Sequence, residues 1–269
     1  SLDLTASYNK LLGEVHYVTA NARMSVQESK DENYGAHVTG FPNENMDEIL
    51  FGKQYDEKMT GSENTSRLIG WAGSFGYSYA YKYSVDFSIR LDGSSQFGKD
   101  NRFAPFWAAG VRWDVKKENF MSRVDFISEF VLRASYGVTG TQGFAPYQSR
   151  ELYSYNALLY PYLASDGTGV ELVAMPNEKL KWQQTDTWNI GLEMGLLNGR
   201  ITARAEYFQK LTKNSLTQVT LAPSLGFGSY PENMGTLENK GVELNFDFIP
   251  YQNTAKSAYW TISVNGSHH

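Results

Sequence analysis

Along residues 83–92 apolar and polar side chains alternate without a break: Tyr83, Val85, Phe87, Ile89 and Leu91 share one parity, and Ser84, Asp86, Ser88, Arg90 and Asp92 share the other. A period of two marks a strand with one apolar and one polar face. The pattern recurs in 15–27, where Val18, Ala20, Ala22, Met24 and Val26 oppose Thr19, Asn21, Arg23, Ser25 and Gln27. In 128–138, Phe130, Leu132, Ala134, Tyr136 and Val138 oppose Glu129, Arg133 and Ser135, and in 237–249 Val242, Leu244, Phe246 and Phe248 oppose Glu243, Asn245 and Asp247. About ten segments follow the rule: 2–9, 15–27, 66–79, 83–92, 105–115, 128–138, 181–195, 200–210, 237–249 and 258–266. The chain therefore reads as all-β.

The links between segments alternate in length. Short ones fall near 10–14, 79–83, 116–127, 196–199 and 250–257, and long ones at 28–65, 93–104, 139–180 and 211–236. Asn198-Gly199 in one short link suits a tight hairpin turn, whose two central residues need positive φ. Short turns at one end and long loops at the other describe an antiparallel up-and-down meander with two unlike ends, as in a transmembrane β-barrel with periplasmic and extracellular rims. Several segments reach the ~10 residues that a tilted membrane crossing needs, whereas strands of soluble sheets are commonly about five or six. Tyr77, Tyr79, Tyr81 and Tyr83 bracket one short turn, and Tyr259 with Trp260 flanks another, where amphipathic rings suit the headgroup level. Parity alone does not separate lipid from a protein core, so a soluble β-sandwich stays open as an alternative.

Composition narrows the function. With 24 Lys and Arg against 29 Asp and Glu, and no dense run of either sign, the chain lacks the basic stripe that a nucleic-acid partner requires. It has no cysteine, hence no disulfide and no thiolate metal site. His16, His37, His268 and His269 show no metal-ligand spacing, Glu44, Asp47 and Glu48 do not reproduce a calcium loop, and no nucleophile elbow occurs. Neither an enzyme nor a cofactor or metal is expected. No apolar run approaches the ~18 residues of a membrane-spanning helix, and the opening Ser1-Leu2-Asp3-Leu4 does not read as a signal peptide.

Four ordered motifs are more specific. They are Arg90-Leu91-Asp92-Gly93-Ser94-Ser95-Gln96-Phe97-Gly98 with Asn101-Arg102-Phe103, Pro105, Gly110 to Trp113 and Glu118 to Met121; Leu132 to Gly137 with Thr139-Gly140 and Gln142; Asn177-Glu178 with Leu180 to Gln183; and Asn239 to Leu244. Together they resemble the barrel of SusC-like (SusC/RagA) TonB-dependent outer-membrane transporters, although Gln183 stands where that family more usually has Glu. The resemblance implies a barrel of about 22 strands with a plugged lumen. Residues 1–269 would then be a partial, mid-barrel domain without the plug and closing strands. It further implies a bacterial outer-membrane protein importing an oligomeric nutrient, glycan or peptide, with a SusD-like surface lipoprotein as lid and TonB acting through the absent plug region. A passive porin or surface adhesin is the alternative. The terminal Gly266-Ser267-His268-His269 is either natural sequence or a tag residue.

Candidate site residues follow from parity and loop content. Arg90, Arg112 and Arg133 carry lumen parity, as plug contacts, transport-path residues or solvated polar face. Loop 92–105, with Asp92, Gly93, Ser94, Ser95, Phe97, Gly98, Asn101 and Arg102, has turn chemistry that favours a folded, rim-ordering loop over ligand contact. Loop 139–180 holds Tyr147, Tyr153, Tyr155, Tyr160 and Tyr162, flat apolar rings with polar tips that suit a sugar, a peptide or a protein lid, or equally a self-packed loop core.

Overall fold

The structure, a computed structural model, describes residues 1–55, 60–141, 147, 149–156, 169–253 and 258–269. Ten long strands form one antiparallel sheet: β1 (Leu2–Leu12), β2 (His16–Gly35), β5 (Thr60–Tyr79), β6 (Tyr83–Ser94), β7 (Phe103–Asp114), β8 (Ile127–Thr141), β11 (Gln183–Leu196), β12 (Ile201–Lys213), β15 (Thr236–Asn253) and β16 (Ala258–His268). Each pairs with its sequence neighbour in that order, giving the predicted meander. Six shorter strands stand as separate two-stranded ribbons in the long connections: β3 (Val38–Thr39) with β4 (Gln54–Tyr55), β9 (Leu152–Asn156) with β10 (Gly169–Ala174), and β13 (Leu216–Thr220) with β14 (Ser229–Asn233).

Register keeps the alternation coherent across the wall. One row runs Ala20, Phe75, Phe87, Ala109, Tyr136, Trp188, and a second runs Leu132, Leu192, Ala205, Leu244. A one-residue slip at any ladder would turn a strand's apolar set to the opposite face. This apolar face is bare: Phe87 is 43% exposed, Ile190 56% and Leu244 54%. A sandwich would bury that face against a second sheet. On β5 the band runs from Ile69 to Tyr79, which at about 3.3 Å per residue and a tilt near 40° spans about 25 Å, the height of a membrane-facing belt.

The long connection 28–65 is shorter than the alternation suggests. β2 and β5 stay paired as far as Gly35 and Thr60, well beyond the band. Past Val26 and Ile69 the outward parity becomes charged, with Glu28, Lys30, Glu63 and Arg67 in ion pairs (Arg67 Nε to Glu28 Oε2 3.1 Å, Lys30 Nζ to Glu63 Oε1 3.3 Å). With both faces in water the alternation vanishes while the backbone ladder continues.

The short turns are tight. The Leu197 carbonyl accepts from the Arg200 amide at 3.3 Å, with Asn198 and Gly199 at φ 56° and 80°, the predicted turn. Between β5 and β6, Ala80 and Tyr81 occupy the same left-handed region at φ 50° and 52°. Among the described residues no helix is long and apolar enough to cross a membrane, which says nothing of a barrel crossing by strands.

Candidate functional site

The polar face of the wall is built around glycines that make room for charged neighbours. Arg133 on β8 faces Gly191 on β11, which faces Glu206 on β12. A Cβ on Gly191 would lie 2.5 Å from Arg133 Nε. Without it the guanidinium lies across β11 and pairs with Glu193 and with Glu206, each at 3.0 Å. One side chain thus joins three strands. Arg112 faces Arg133 across the ladder, and its paired carboxylate, Asp114, stands 4.0 Å away. Arg90 bonds Asp92, and Gly70 beside them leaves the space that Asp92 Oδ1 fills. All three predicted arginines therefore lie on the non-apolar parity of the wall. A cleft of about 440 Å³ opens there, with Arg23, Ser74, Arg90 and Phe106 among its lining.

The signature loop folds into a knot at the rim. Phe97 is 1% exposed and stacks on Trp182 with centroids 4.4 Å apart, while Phe106 meets the same indole edge-on at 5.5 Å. Leu180 is fully buried beside them. A Cβ on Gly98 would sit 1.7 Å from the Glu178 carbonyl oxygen, so only glycine lets the two segments meet. Asn101 donates to the Lys179 carbonyl at 3.4 Å, and the Trp182 indole to the Arg102 carbonyl at 3.4 Å. Ser94 takes part through its amide, which donates to the Arg102 carbonyl at 3.1 Å. Asp92, Gly93 and Ser94 belong to β6 rather than to the loop. Two of the sequence motifs thus contact one another.

Asn177 and Asn233 extend the knot, a role the sequence does not announce. Asn177 is buried and donates to the Pro231 carbonyl at 2.7 Å. Asn233 accepts from the Lys181 amide and donates to the Lys181 carbonyl, both at 2.9 Å, in the manner of a backbone partner.

The tyrosines of the long loop separate. The Tyr147 hydroxyl accepts the Thr65 amide proton at 3.0 Å, capping the β5 edge beyond the end of β6. Tyr153 on β9 is exposed and donates to Glu151 Oε2 at 2.6 Å, and that carboxylate holds the phenol above its ordinary value. Tyr155 is a β9 residue paired with Val170. Tyr160 and Tyr162 lie outside the described residues. Among the described residues no group of His, Asp and Glu is placed to hold a metal ion.

At the opposite rim Glu118 receives the Tyr83 hydroxyl, the Trp113 indole N–H at 3.2 Å and Lys82 Nζ at 3.4 Å. These donors, the Tyr83 hydroxyl first, hold the carboxyl below its ordinary value. The Tyr83 and Trp113 rings stack above it, an aromatic edge to the apolar band.

A family model for the TonB-dependent receptor-like β-barrel matches residues 1–268. The chain belongs to that family. It is similar to TonB-dependent receptor P39 of Formosa agariphila, at 31% identity over 267 residues, covering 97% of this chain and 25% of that protein. It is also similar to TonB-dependent receptor SusC of Bacteroides thetaiotaomicron, at 32% over 239 residues, covering 85% and 23%. This TonB-dependent receptor chain accordingly spans about a quarter of the length of those curated relatives. Among solved structures it superimposes on the RagAB peptide transporter with a TM-score of 0.84 at 26% identity, covering 98% of this chain and 29% of that one. The SusC-like resemblance read from the motifs is borne out. The wall is part of an outer-membrane barrel, and the soluble sandwich is set aside.

Proposed function

We propose that the protein takes part in energised import of an oligomeric nutrient, a glycan or a peptide, across the outer membrane, with a SusD-like lipoprotein as lid and TonB as energy transducer. The observation that carries this reading is the family match over nearly the whole chain, on a wall whose inner parity is charged. RagAB, its structural neighbour, is a peptide transporter, and SusC is a TonB-dependent receptor. In this reading the lumen arginines Arg90, Arg112 and Arg133 face the plug and the transport path. The rim knot fixes the mouth, and the exposed Tyr153 offers stacking area to cargo or lid.

Uptake of labelled oligosaccharides and peptides by cells producing the complete transporter tests the proposal. Import that disappears on removing TonB, and falls on removing the neighbouring lipoprotein, is the expected result. Entry indifferent to TonB would instead identify a passive porin. Tyr153→Ala should weaken uptake with normal barrel assembly. Unchanged uptake would remove Tyr153 from the cargo path.

A further inference from the structure

The apolar face of the wall is not flat. A trough of about 450 Å³ crosses β6, β7, β8 and β11. One register row, Val85, Val111, Ala134 and Ile190, lies along it. The adjoining row, Ser84, Arg112, Arg133 and Gly191, has the opposite parity and offers this face only its backbone. Taller rows stand on either side. Toward the middle of the band are Phe87, Tyr136 and Trp188, the last two with ring centroids 4.5 Å apart, and toward the short turns are Tyr83, Trp113 and Leu132. Ala134 opens the space, since the outward positions before and after it on β8 are Leu132 and Tyr136. All four strands are interior to the ten-stranded order, so the trough does not depend on what pairs with β1 or β16.

The trough starts at the rim and climbs. Val85 lies one pleat from the start of β6 at Tyr83, whereas Ile190 lies three pleats from the end of β11 at Leu196. Three gaps between neighbouring strands make it about 14 Å long. One leaflet holds about 15 Å of hydrocarbon, so the length suits one acyl chain. At the lower end the Tyr83 hydroxyl and the Trp113 indole N–H both reach Glu118, which sets their polar tips at headgroup level while their rings line the trough. Lys82 stands next to Tyr83. Of its three ammonium protons one goes to Glu118, at 3.4 Å, the one side-chain bond Lys82 makes among the described residues. Donors therefore remain at that end for a phosphate.

We propose that this trough binds one phospholipid of the periplasmic leaflet, with an acyl chain along Val111, Ala134 and Ile190 and the phosphate on Lys82. The site is independent of what the barrel imports. It needs only an outer-membrane barrel with its short turns at the periplasmic rim.

The test uses the complete transporter, extracted in mild detergent, washed free of bulk lipid and offered dioleoylphosphatidylglycerol or dioleoylglycerol. Native mass spectrometry counts what each barrel retains. The wild type should hold one phospholipid and prefer it to dioleoylglycerol, which has the same chains and no phosphate. Ala134→Trp fills the trough with a side chain suited to a lipid-facing position, so the barrel should assemble and retention should fall about tenfold or more. Ala22→Trp, at an outward alanine outside the trough, should retain the lipid as the wild type does. Lys82→Met should lower phospholipid retention about tenfold, the scale of a lost charged hydrogen bond, toward the level of dioleoylglycerol.

Unchanged retention in an Ala134→Trp protein with folded-barrel mobility on gels would overturn the proposal. An equal fall in Ala22→Trp would do the same, because the lipid would then be a general coat. Wild-type retention of dioleoylglycerol equal to that of the phospholipid would remove the phosphate contact and the proposal with it. A lipid-free wild type that weighs as two barrels, and as one in Ala134→Trp, would put a second copy in the trough instead.

Discussion

Gly191 occupies a strand interior, where glycine ordinarily weakens a sheet, and the Arg133 side chain crossing above it explains its place. Gly191→Ala should therefore act through Arg133, displacing the guanidinium from Glu206 and unlinking β8 from β12. Because Arg133 is 45% exposed, solvent screening keeps the ion-pair part near 1 kcal/mol or less. Urea titration of the complete barrel should show this loss for Gly191→Ala, and little further loss when Arg133→Met is added to it. Additive losses would mean that the two residues act separately. Glu118 supplies a pH signature. Its carboxyl is held below the ordinary value of 4.5, so its contribution to the turn is present in full above that value and is lost as pH falls through the lower folded one. Trp113 donates to the same carboxylate, so its fluorescence should change in that acid window in the wild type and not in Glu118→Gln.

At the scale of the strand, parity makes the sharpest prediction. Phe87 and Ser88 are chain neighbours on opposite faces of β6. Phe87→Arg near the middle of the band should cost about 2–4 kcal/mol and block assembly, while Ser88→Arg should be tolerated. Heat-modifiable gel mobility of the complete protein reads the difference, and equal tolerance would contradict the face assignment. The long strands were legible because water on one side and lipid on the other wrote alternation into the sequence. The outer halves of β2 and β5 were not, since Lys30, Asp31, Glu32 and Asn33 meet water on both faces and carry no period. The β13–β14 ribbon was hidden for another reason: each strand is five residues long, and Pro231 sits inside β14. The rim knot lay beyond strand patterns altogether. Phe97 and Trp182 are far apart in sequence, and the turn chemistry of loop 92–105 pointed to a folded, rim-ordering loop without naming the segment it packs against.

For the whole molecule, the sidedness of turns and loops is open to direct chemistry, because the chain has no cysteine of its own. A cysteine placed at Ser229, exposed in a long connection, should react with an impermeant maleimide on intact cells. One at Asn198, in the tight turn between β11 and β12, should react only after the outer membrane is breached, and its labelling on intact cells would invert the topology. The wall's strands pair strictly in order along the chain. Among the described residues no strand of the wall passes through another, so hairpins can leave the sheet one at a time. Pulled by a probe tip from the rim, such a wall should come out of the bilayer in discrete hairpin-sized steps, each a separate force peak. The peak for β8–β11–β12 should fall only slightly in Arg133→Met, because the arginine that fastens these three strands is half in solvent.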